Sequence, residues 1–418
     1  MPEPITIAVV GAGNRGAGYA RLAARAGARI VAVAEKREFQ RKTFVAEHDV
    51  AEAYDDWRAL ADRPRLADAV VIATQDADHV EPAVAFPGLG YHVLLEKPMA
   101  TSEADCERIV AAAEHSGVML AVCHVLRYTP YTKALKALLD SGRIGDVVTV
   151  EHLEPVGWWH QAHSYVRGNW RREDLSNSML MAKSCHDIDW LAYIVGRRAT
   201  RVSSFGGLYH FRPEQRPVGA GDRCIDCAVE PDCPYSAKRL YFDCLADESC
   251  HRWPLSVITD DISEAGVQRA LEVGPYGRCV YTCDNDVVDH QVVNLEYEGG
   301  VTASFTMTAF SPIGHRRTRL FGTHGYVEGD GVTLSAQDFR TGRWDTIDTT
   351  AGLDASAAGR HGGGDGALIT AFVEAVATGN TAPILSGPAE SLDSHRVVWA
   401  AERSRRTGAT VSLADLRR

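Results

Sequence analysis

The 418-residue chain predicts an α/β protein of two domains. An apolar run from Ile5 to Val10 feeds a glycine turn, GAGNRG at Gly11 to Gly16, which opens into the helix-spaced pattern Tyr19, Leu22, Ala23 and Ala26. Further strand-like runs, Arg29 to Ala34, Ala69 to Thr74, His92 to Leu95 and Val118 to Val122, alternate with helical stretches such as Glu103 to Ser116. The length exceeds one ordinary domain, and a hydrophobic content of 45% is enough to fill two cores.

The first strand, turn and helix form the context in which a glycine motif binds a dinucleotide. Gly11 permits the tight turn, Gly13 lets the backbone approach a pyrophosphate, and Gly16 allows close helix–strand packing. The helix opening at Asn14 and Arg15 adds amide groups and a favourable dipole. The second strand ends in Glu35, 19 residues beyond Gly16, where a carboxylate meets a ribose 2′-hydroxyl. That acid favours NAD over NADP, against which Lys36 and Arg37 stand as cations able to meet a 2′-phosphate. Residues 1–125 are therefore expected to form a Rossmann domain. Ligands of such sheets lie beyond the carboxyl ends of the strands. There the third run passes Thr74 into Gln75–His79, and the fourth passes into Glu96-Lys97-Pro98. The expected cofactor set is Gly11, Gly13, Asn14, Arg15, Gly16, Glu35, Thr74, His79, Glu96 and Lys97.

The formal net charge of −11 argues against nucleic acid or an anionic membrane as the main partner and favours a small molecule. No apolar run reaches the ~18 residues that span a bilayer, and the N-terminal residues carry no basic stretch, so a cytoplasmic protein is expected. Ten cysteines in such a chain point to reduced thiols or a metal site rather than a disulfide framework.

Five segments, GAGNRG, VIATQDADHV, LLEKPMA, LRYTPYTKALKALLDSGRIGDV from Leu126 and SCHDIDWLAYIVG from Ser184, resemble the glucose-fructose oxidoreductase, inositol dehydrogenase and MocA family. The resemblance is dense in the first half and thinner in the second. It implies an N-terminal Rossmann domain and a C-terminal α+β domain (126–418) with a large, open, mainly antiparallel sheet that often builds homodimers or homotetramers. It also implies that Lys97 acts with His186. One departure stands out: many members carry an aspartate four residues before this histidine, and this chain has Ala182 there, followed by Lys183.

Around that position Ile188, Leu191, Ala192 and Val195 follow helical spacing and should face a core, while Lys183, His186 and Trp190 share another face and Asp189 can orient the histidine. The catalytic set is thus Lys97, His186 and Lys183. Upstream, GWWHQAHSYVRGNWRRE offers aromatic faces and hydroxyl-binding groups suited to a sugar. With Arg127 and Tyr128, the expected substrate residues are Trp158, His160, His163, Tyr165, Arg167, Trp170 and Arg171. Convergence of the arginines would signal an anionic substrate; pairing with nearby acids is the alternative.

Cys224-x2-Cys227-x5-Cys233 resembles half of a structural zinc site, with Cys244, Cys250, Cys279, Cys283 or His251 to complete it. The stretch 213–276 reads as a loop-rich insertion. Alternating runs Asp289–Tyr297 and Val301–Met307, joined through Glu298-Gly299-Gly300, predict a hairpin. His361-Gly-Gly-Gly-Asp365 precedes a helix over 367–377 and is either a ligand-binding loop or a linker. Together these readings predict an NAD-dependent enzyme that moves a hydride between a secondary ring hydroxyl, C3 of a sugar or glycoside, and nicotinamide. The alternative is an oxidoreductive glycosidase, using transient C3 oxidation, elimination and hydride return on a sugar such as sulfoquinovose.

Overall fold

The computed structural model describes residues 3–351 and 360–416. Six parallel strands make the first sheet: β1 (Thr6–Val10), β2 (Arg29–Ala34), β3 (Glu52–Tyr54), β4 (Ala69–Ile72), β5 (His92–Leu95) and β6 (Leu120–Val122), in the order β3-β2-β1-β4-β5-β6. The near-continuous apolar composition of β1, β4 and β5 follows from burial on both faces. One face packs the helix Asn14–Arg25. It also packs the helix Gly364–Thr378, whose Leu368, Ile369 and Phe372 join Ile7, Val9 and Tyr19 in one core. The other face packs Val80–Gly88 and Glu103–Ser116 through Ala83, Phe86 and Ile109. The covering layer of this sheet borrows a helix from far along the chain.

The second sheet has nine strands: β7 (Val147–Pro155), β8 (Ala199–Gly207), β9 (His290–Tyr297), β10 (Thr302–Thr308), β11 (Arg317–Gly322), β12 (Gly325–Gly329), β13 (Thr333–Asp338), β14 (Trp344–Asp348) and β15 (Val411–Ser412). Their order is β14-β13-β12-β11-β7-β10-β9-β8-β15. The β7–β10 pair is parallel and the other neighbours are antiparallel. The predicted hairpin is present, with Thr302 opposite Glu296 and Phe305 opposite Val293. Period-two alternation sends Val293, Leu295, Ala303 and Phe305 inward, against Ile188 and Leu191 of the helix Cys185–Val195 and Val398 of the helix Pro388–Thr407. On the opposite face Asn294 is exposed and Val292, Ser304 and Thr306 are half-buried.

The 213–276 insertion departs from its loop-rich expectation. It contains the helices Ala237–Ala246 and Glu264–Val273, which close a small core of Tyr241, Leu255, Val267 and Leu271. The helical spacing that placed Lys183, His186 and Trp190 on one face is also interrupted: Met179–Ala182 forms one turn, and the helix restarts at Cys185.

Candidate active site

Strand order reverses between β1 and β4, so the crevice lies at the carboxyl ends of those two strands. Gly11 has φ +89°, and a Cβ there would stand 2.6 Å from the Ala73 carbonyl oxygen. A Cβ at Gly16 would meet the Gly11 carbonyl oxygen at 1.9 Å. The helix from Asn14 starts at Gly13 without a side-chain cap, which leaves its first amides for an anion. At the end of β2, Glu35 is buried; its Oε2 accepts from the Ala12 amide at 2.8 Å and its Oε1 from the Arg37 amide and Nε at 3.0 Å. Both neighbouring cations are paired with acids, Arg37 with Glu35 and Lys36 with Asp78 at 3.7 Å. These residues fit an NAD-type dinucleotide.

The loop after β5 is held from several sides. Arg15, expected at the cofactor, instead donates from Nε to Glu96 Oε1 at 2.6 Å and from Nη2 to Asp365 Oδ1 at 2.7 Å. Tyr19 donates to the same Glu96 oxygen at 2.7 Å, and Glu96 Oε2 accepts the Lys97 amide at 2.7 Å. Burial would raise the Glu96 carboxyl, but Arg15 and then Lys97 outweigh it and hold the carboxyl below its ordinary range. His79, also expected at the cofactor, is buried with Nδ1 2.8 Å from the Pro98 carbonyl oxygen, and the Met99 amide donates to His395 Nε2 at 3.0 Å. Glu96 and His79 therefore brace the lysine loop. The glycine stretch ending at Asp365 serves the same clamp.

So braced, Lys97 crosses to the second domain, where its Nζ donates to the Ala182 carbonyl oxygen at 2.8 Å. His186 lies in the first turn of the helix Cys185–Val195 and is 3% exposed. Its ring meets His124 edge-on, centroids 5.8 Å apart, and His124 meets His395 in the same way at 5.7 Å. Burial pushes His124 down to about 4 and His395 down to about 3, so both are neutral at pH 7. Asp189 takes a bidentate contact from Arg127, 2.7 Å on each oxygen, and stands 3.7 Å from His124. Tyr128 accepts the Leu385 amide at 2.7 Å and contacts Ser386 at 3.1 Å, so Arg127 and Tyr128 are fastened to protein rather than open to substrate.

The face predicted for Lys183, His186 and Trp190 is split. Lys183 pairs with Glu154 of β7 at 3.2 Å, and Glu154 pairs with Arg316 at 2.9 Å. Arg316 continues to Asp187, which His152 also contacts at 3.1 Å. Trp190 stacks on His152 at 4.6 Å and donates to Thr132 at 2.8 Å, deep in the core. The break at Lys183–Ser184 changes the angular spacing on which the shared face depended.

The aromatic segment divides similarly. Tyr165 is buried within reach of the charges of Glu154 and Asp76, with the rings of His160 and Trp170 at 5.8 and 6.2 Å. Trp170 donates to Asp76 at 3.3 Å, and Ser176 and Asn177 reach the other Asp76 oxygen, also at 3.3 Å. Cys185 lies within reach of the Lys97 charge. In contrast, His163 contacts the Tyr241 hydroxyl at 2.6 Å and stacks on Tyr276, and Trp158 donates to the Pro234 carbonyl at 3.2 Å. Both face the insertion. Arg167 donates to the carbonyls of Arg278 and Tyr235 at 2.7 and 2.8 Å, while Arg171 pairs with Asp284 at 2.9 and 3.1 Å. The arginines do not converge on a substrate anion, because acceptors distant in sequence satisfy each one.

Zinc is a further correction: among the described residues, no group of three or more His, Cys, Asp or Glu side chains is arranged to hold a metal ion. Reading the sequence also missed Asp76, Glu154, Cys185, His124 and His395. Only Asp76 carried a signal, lying in the polar segment directly after β4.

Residues 5–124 match a family model described as an oxidoreductase family with an NAD-binding Rossmann fold, and residues 136–413 match its C-terminal alpha/beta domain. The chain is 27% identical over 304 residues to YteT of Bacillus subtilis, covering 71% of this chain and 66% of that protein. It is 33% identical over 204 residues to inositol 2-dehydrogenase 2 of Saccharopolyspora erythraea, covering 48% and 56%. It is 29% identical over 206 residues to the 2,7-anhydro-N-acetylneuraminate hydratase of Mediterraneibacter gnavus, covering 49% and 53%. These matches span about half to two thirds of the relatives' own lengths. A levoglucosan dehydrogenase solved with NADH and levoglucosan shares the fold at a TM-score of 0.72 and 17% identity, over 98% of this chain and 99% of that one. With both domain models matched and the nucleotide crevice in place, the chain belongs to the glucose-fructose oxidoreductase, inositol dehydrogenase and MocA family of oxidoreductases.

Proposed function

We propose that this protein is an NAD-dependent oxidoreductase of carbohydrate rings, moving a hydride between C3, bearing a secondary hydroxyl, and nicotinamide. The observation that carries the reading is the reach of Lys97: its ammonium stands 2.8 Å from the Ala182 carbonyl, joining the nucleotide crevice to the turn before His186. Gly11, Gly13 and the uncapped amides from Asn14 onward would hold the pyrophosphate, and Glu35 the adenosine ribose. Nicotinamide, when bound, supplies the hydride acceptor.

The protein's own groups manage the proton. An ammonium has three donors. Ala182 takes one from Lys97, leaving two for a sugar oxygen on which negative charge develops. His186 receives the hydroxyl proton as general base. Where many relatives have an aspartate, this chain offers Lys97 a neutral carbonyl, so no carboxylate at position 182 competes for that proton. Tyr165, His160 and Trp170 form the aromatic wall against which the ring would lie.

The likeness to a protein named as a hydratase supports a second reading, in which the hydride returns. Oxidation at C3 would acidify the C2 hydrogen, the anomeric substituent would leave, water would add and the ketone would be reduced again. Lys183 is neutralised by Glu154 and the arginines are engaged, so these cations give no support to sulfoquinovose as the substrate. The face of the second sheet opposite its core, where Phe205 is 63% exposed, is the proposed surface for a homodimer or homotetramer, which light scattering tests.

Incubation with NAD and a panel of sugars, cyclitols and glycosides separates the two readings. NADH rising in step with ketone supports the dehydrogenase, and aglycone release without NADH supports hydride return. Neither signal across the panel, with Lys97→Ala leaving ligand binding unchanged, counts against both.

A further inference from the structure

A row of aromatic rings runs from beside Asp76 into the insertion. Trp170, which donates to Asp76, has its ring centroid 6.2 Å from that of Tyr165, and Tyr165 lies 5.8 Å from His160. The row then leaves the segment 157–173: His160 lies 5.0 Å from Trp253 of the insertion, and Trp253 5.2 Å from Trp159. Tyr165 is buried, whereas Trp159, His160, Trp170 and Trp253 are half-buried and retain accessible surface.

The backbone of the insertion directs Trp253 to this place. The residue is extended, φ −162° and ψ 128°, within the otherwise helical stretch His251–Leu255. Leu255, just beyond, fills the insertion's own core with Tyr241, Val267 and Leu271, while the Trp253 ring turns to meet His160 and His163 edge-on at 5.0 and 5.5 Å. The flanking chain is fastened on both sides. His251 Nε2 contacts the Leu245 carbonyl oxygen at 2.9 Å, Arg252 pairs with Glu47 at 3.6 Å, and Asp260 accepts from Gln40 Nε2 at 2.8 Å. Gln40 and Glu47 belong to the helix Glu38–His48 of the nucleotide domain. Such exposed contacts add little stability, but they fix where the indole stands.

A single pyranose is served by Tyr165 and Trp170, the rings nearest Asp76; the row continues past His160 to two indoles. We infer that Trp253 and Trp159 form a second ring subsite, which takes the aglycone or adjoining sugar of a glycoside whose first ring reacts at Lys97 and His186. The inference rests on the carbohydrate-ring reading and narrows its substrate class to glycosides carrying a second ring. Indole faces suit the apolar face of a sugar or an aromatic aglycone. Contacts remote from the reacting carbon can be spent on orienting it, so a substrate lacking the second ring loses kcat as well as affinity.

The test is calorimetric titration of the full chain, loaded with NADH, with p-nitrophenyl and methyl glycosides of the same sugars. The two ligands share the first ring and the linkage and differ in the second ring alone. For at least one sugar the p-nitrophenyl glycoside should bind about tenfold more tightly, and Trp253→Ala should abolish that advantage while leaving the methyl glycoside within about twofold of wild type. Trp253→Phe, which keeps an aromatic face, should restore most of it. Equal affinities of each pair in wild type, no binding of any p-nitrophenyl glycoside, or a Trp253→Ala protein that weakens both ligands alike or neither would each overturn the subsite. Where Trp253→Ala does not fold, Trp159→Ala takes its place with the same expected and overturning results. Binding is read without turnover, so failure of the subsite is distinct from failure of hydride transfer, which the NADH assay reports.

Discussion

Replacing Lys97 with methionine keeps the length of the side chain and removes the ammonium that reaches across the crevice to the second domain. Two losses follow. The charge-assisted hydrogen bond to Ala182 at 2.8 Å disappears, a stability cost of about 1.5–3 kcal/mol. The donors proposed to face the developing alkoxide also disappear, and removal of one such donor costs about 2.7–4 kcal/mol in the transition state, or about 10²–10³ in rate. The nucleotide site keeps Gly11, Gly13 and Glu35, so NADH affinity should stay within about threefold. Single-turnover reduction of NAD, followed by NADH absorbance, isolates the hydride step, and fluorescence titration gives NADH affinity. A rate within a few-fold of wild type would refute the role of Lys97. So would a loss of NADH affinity as large as the loss of rate, because the residue would then serve the nucleotide and not the sugar.

Glu35→Ser should shift preference toward NADP by about tenfold, or about 1.4 kcal/mol, because it removes the carboxylate and releases Arg37 from its 3.0 Å pairing; the ratio of kcat/KM for the two nucleotides measures this. Gly16→Ala should weaken NAD binding at least tenfold, since the new Cβ falls 1.9 Å from the Gly11 carbonyl oxygen; calorimetric titration checks it. His124 and His395 sit folded near 4 and 3, below the ordinary 6.5, so the unfolded chain binds more protons and stability must fall as pH drops from about 6.5 to about 4. Urea unfolding at pH 7.5 and 5 should show that fall, and His124→Phe should flatten it. Asp187→Asn should destabilise by about 3–5 kcal/mol, because it strips charge from the buried pair with Arg316 while Glu154 remains only partly able to compensate; thermal unfolding reads this.

The nucleotide half was legible because its signals are local. Buried parallel strands read as apolar runs, the glycine turn states its own backbone, and Glu35 and Lys97 follow their strands directly. What the sequence concealed was partner choice. Arg127 looked available, yet its carboxylate is Asp189, 62 residues further along the chain. Arg15 stood in the phosphate motif, yet Glu96 and Asp365 claim it from 81 and 350 residues away. Lys183 was placed by assuming an unbroken helix, and Ser184 breaks it. Such contacts depend on tertiary closure, which no periodicity encodes.

The path of the hydride is the central claim, and an isotope follows it without reference to net product. Turnover of a sugar substrate deuterated at C3, with NAD present and nicotinamide analysed by mass spectrometry, should place deuterium on the nicotinamide ring, and Lys97→Met should slow its arrival by about 10²–10³. Under hydride return the label would appear there transiently, in a single turnover. Consumption of that substrate with no deuterium on the nicotinamide at any time would contradict the account.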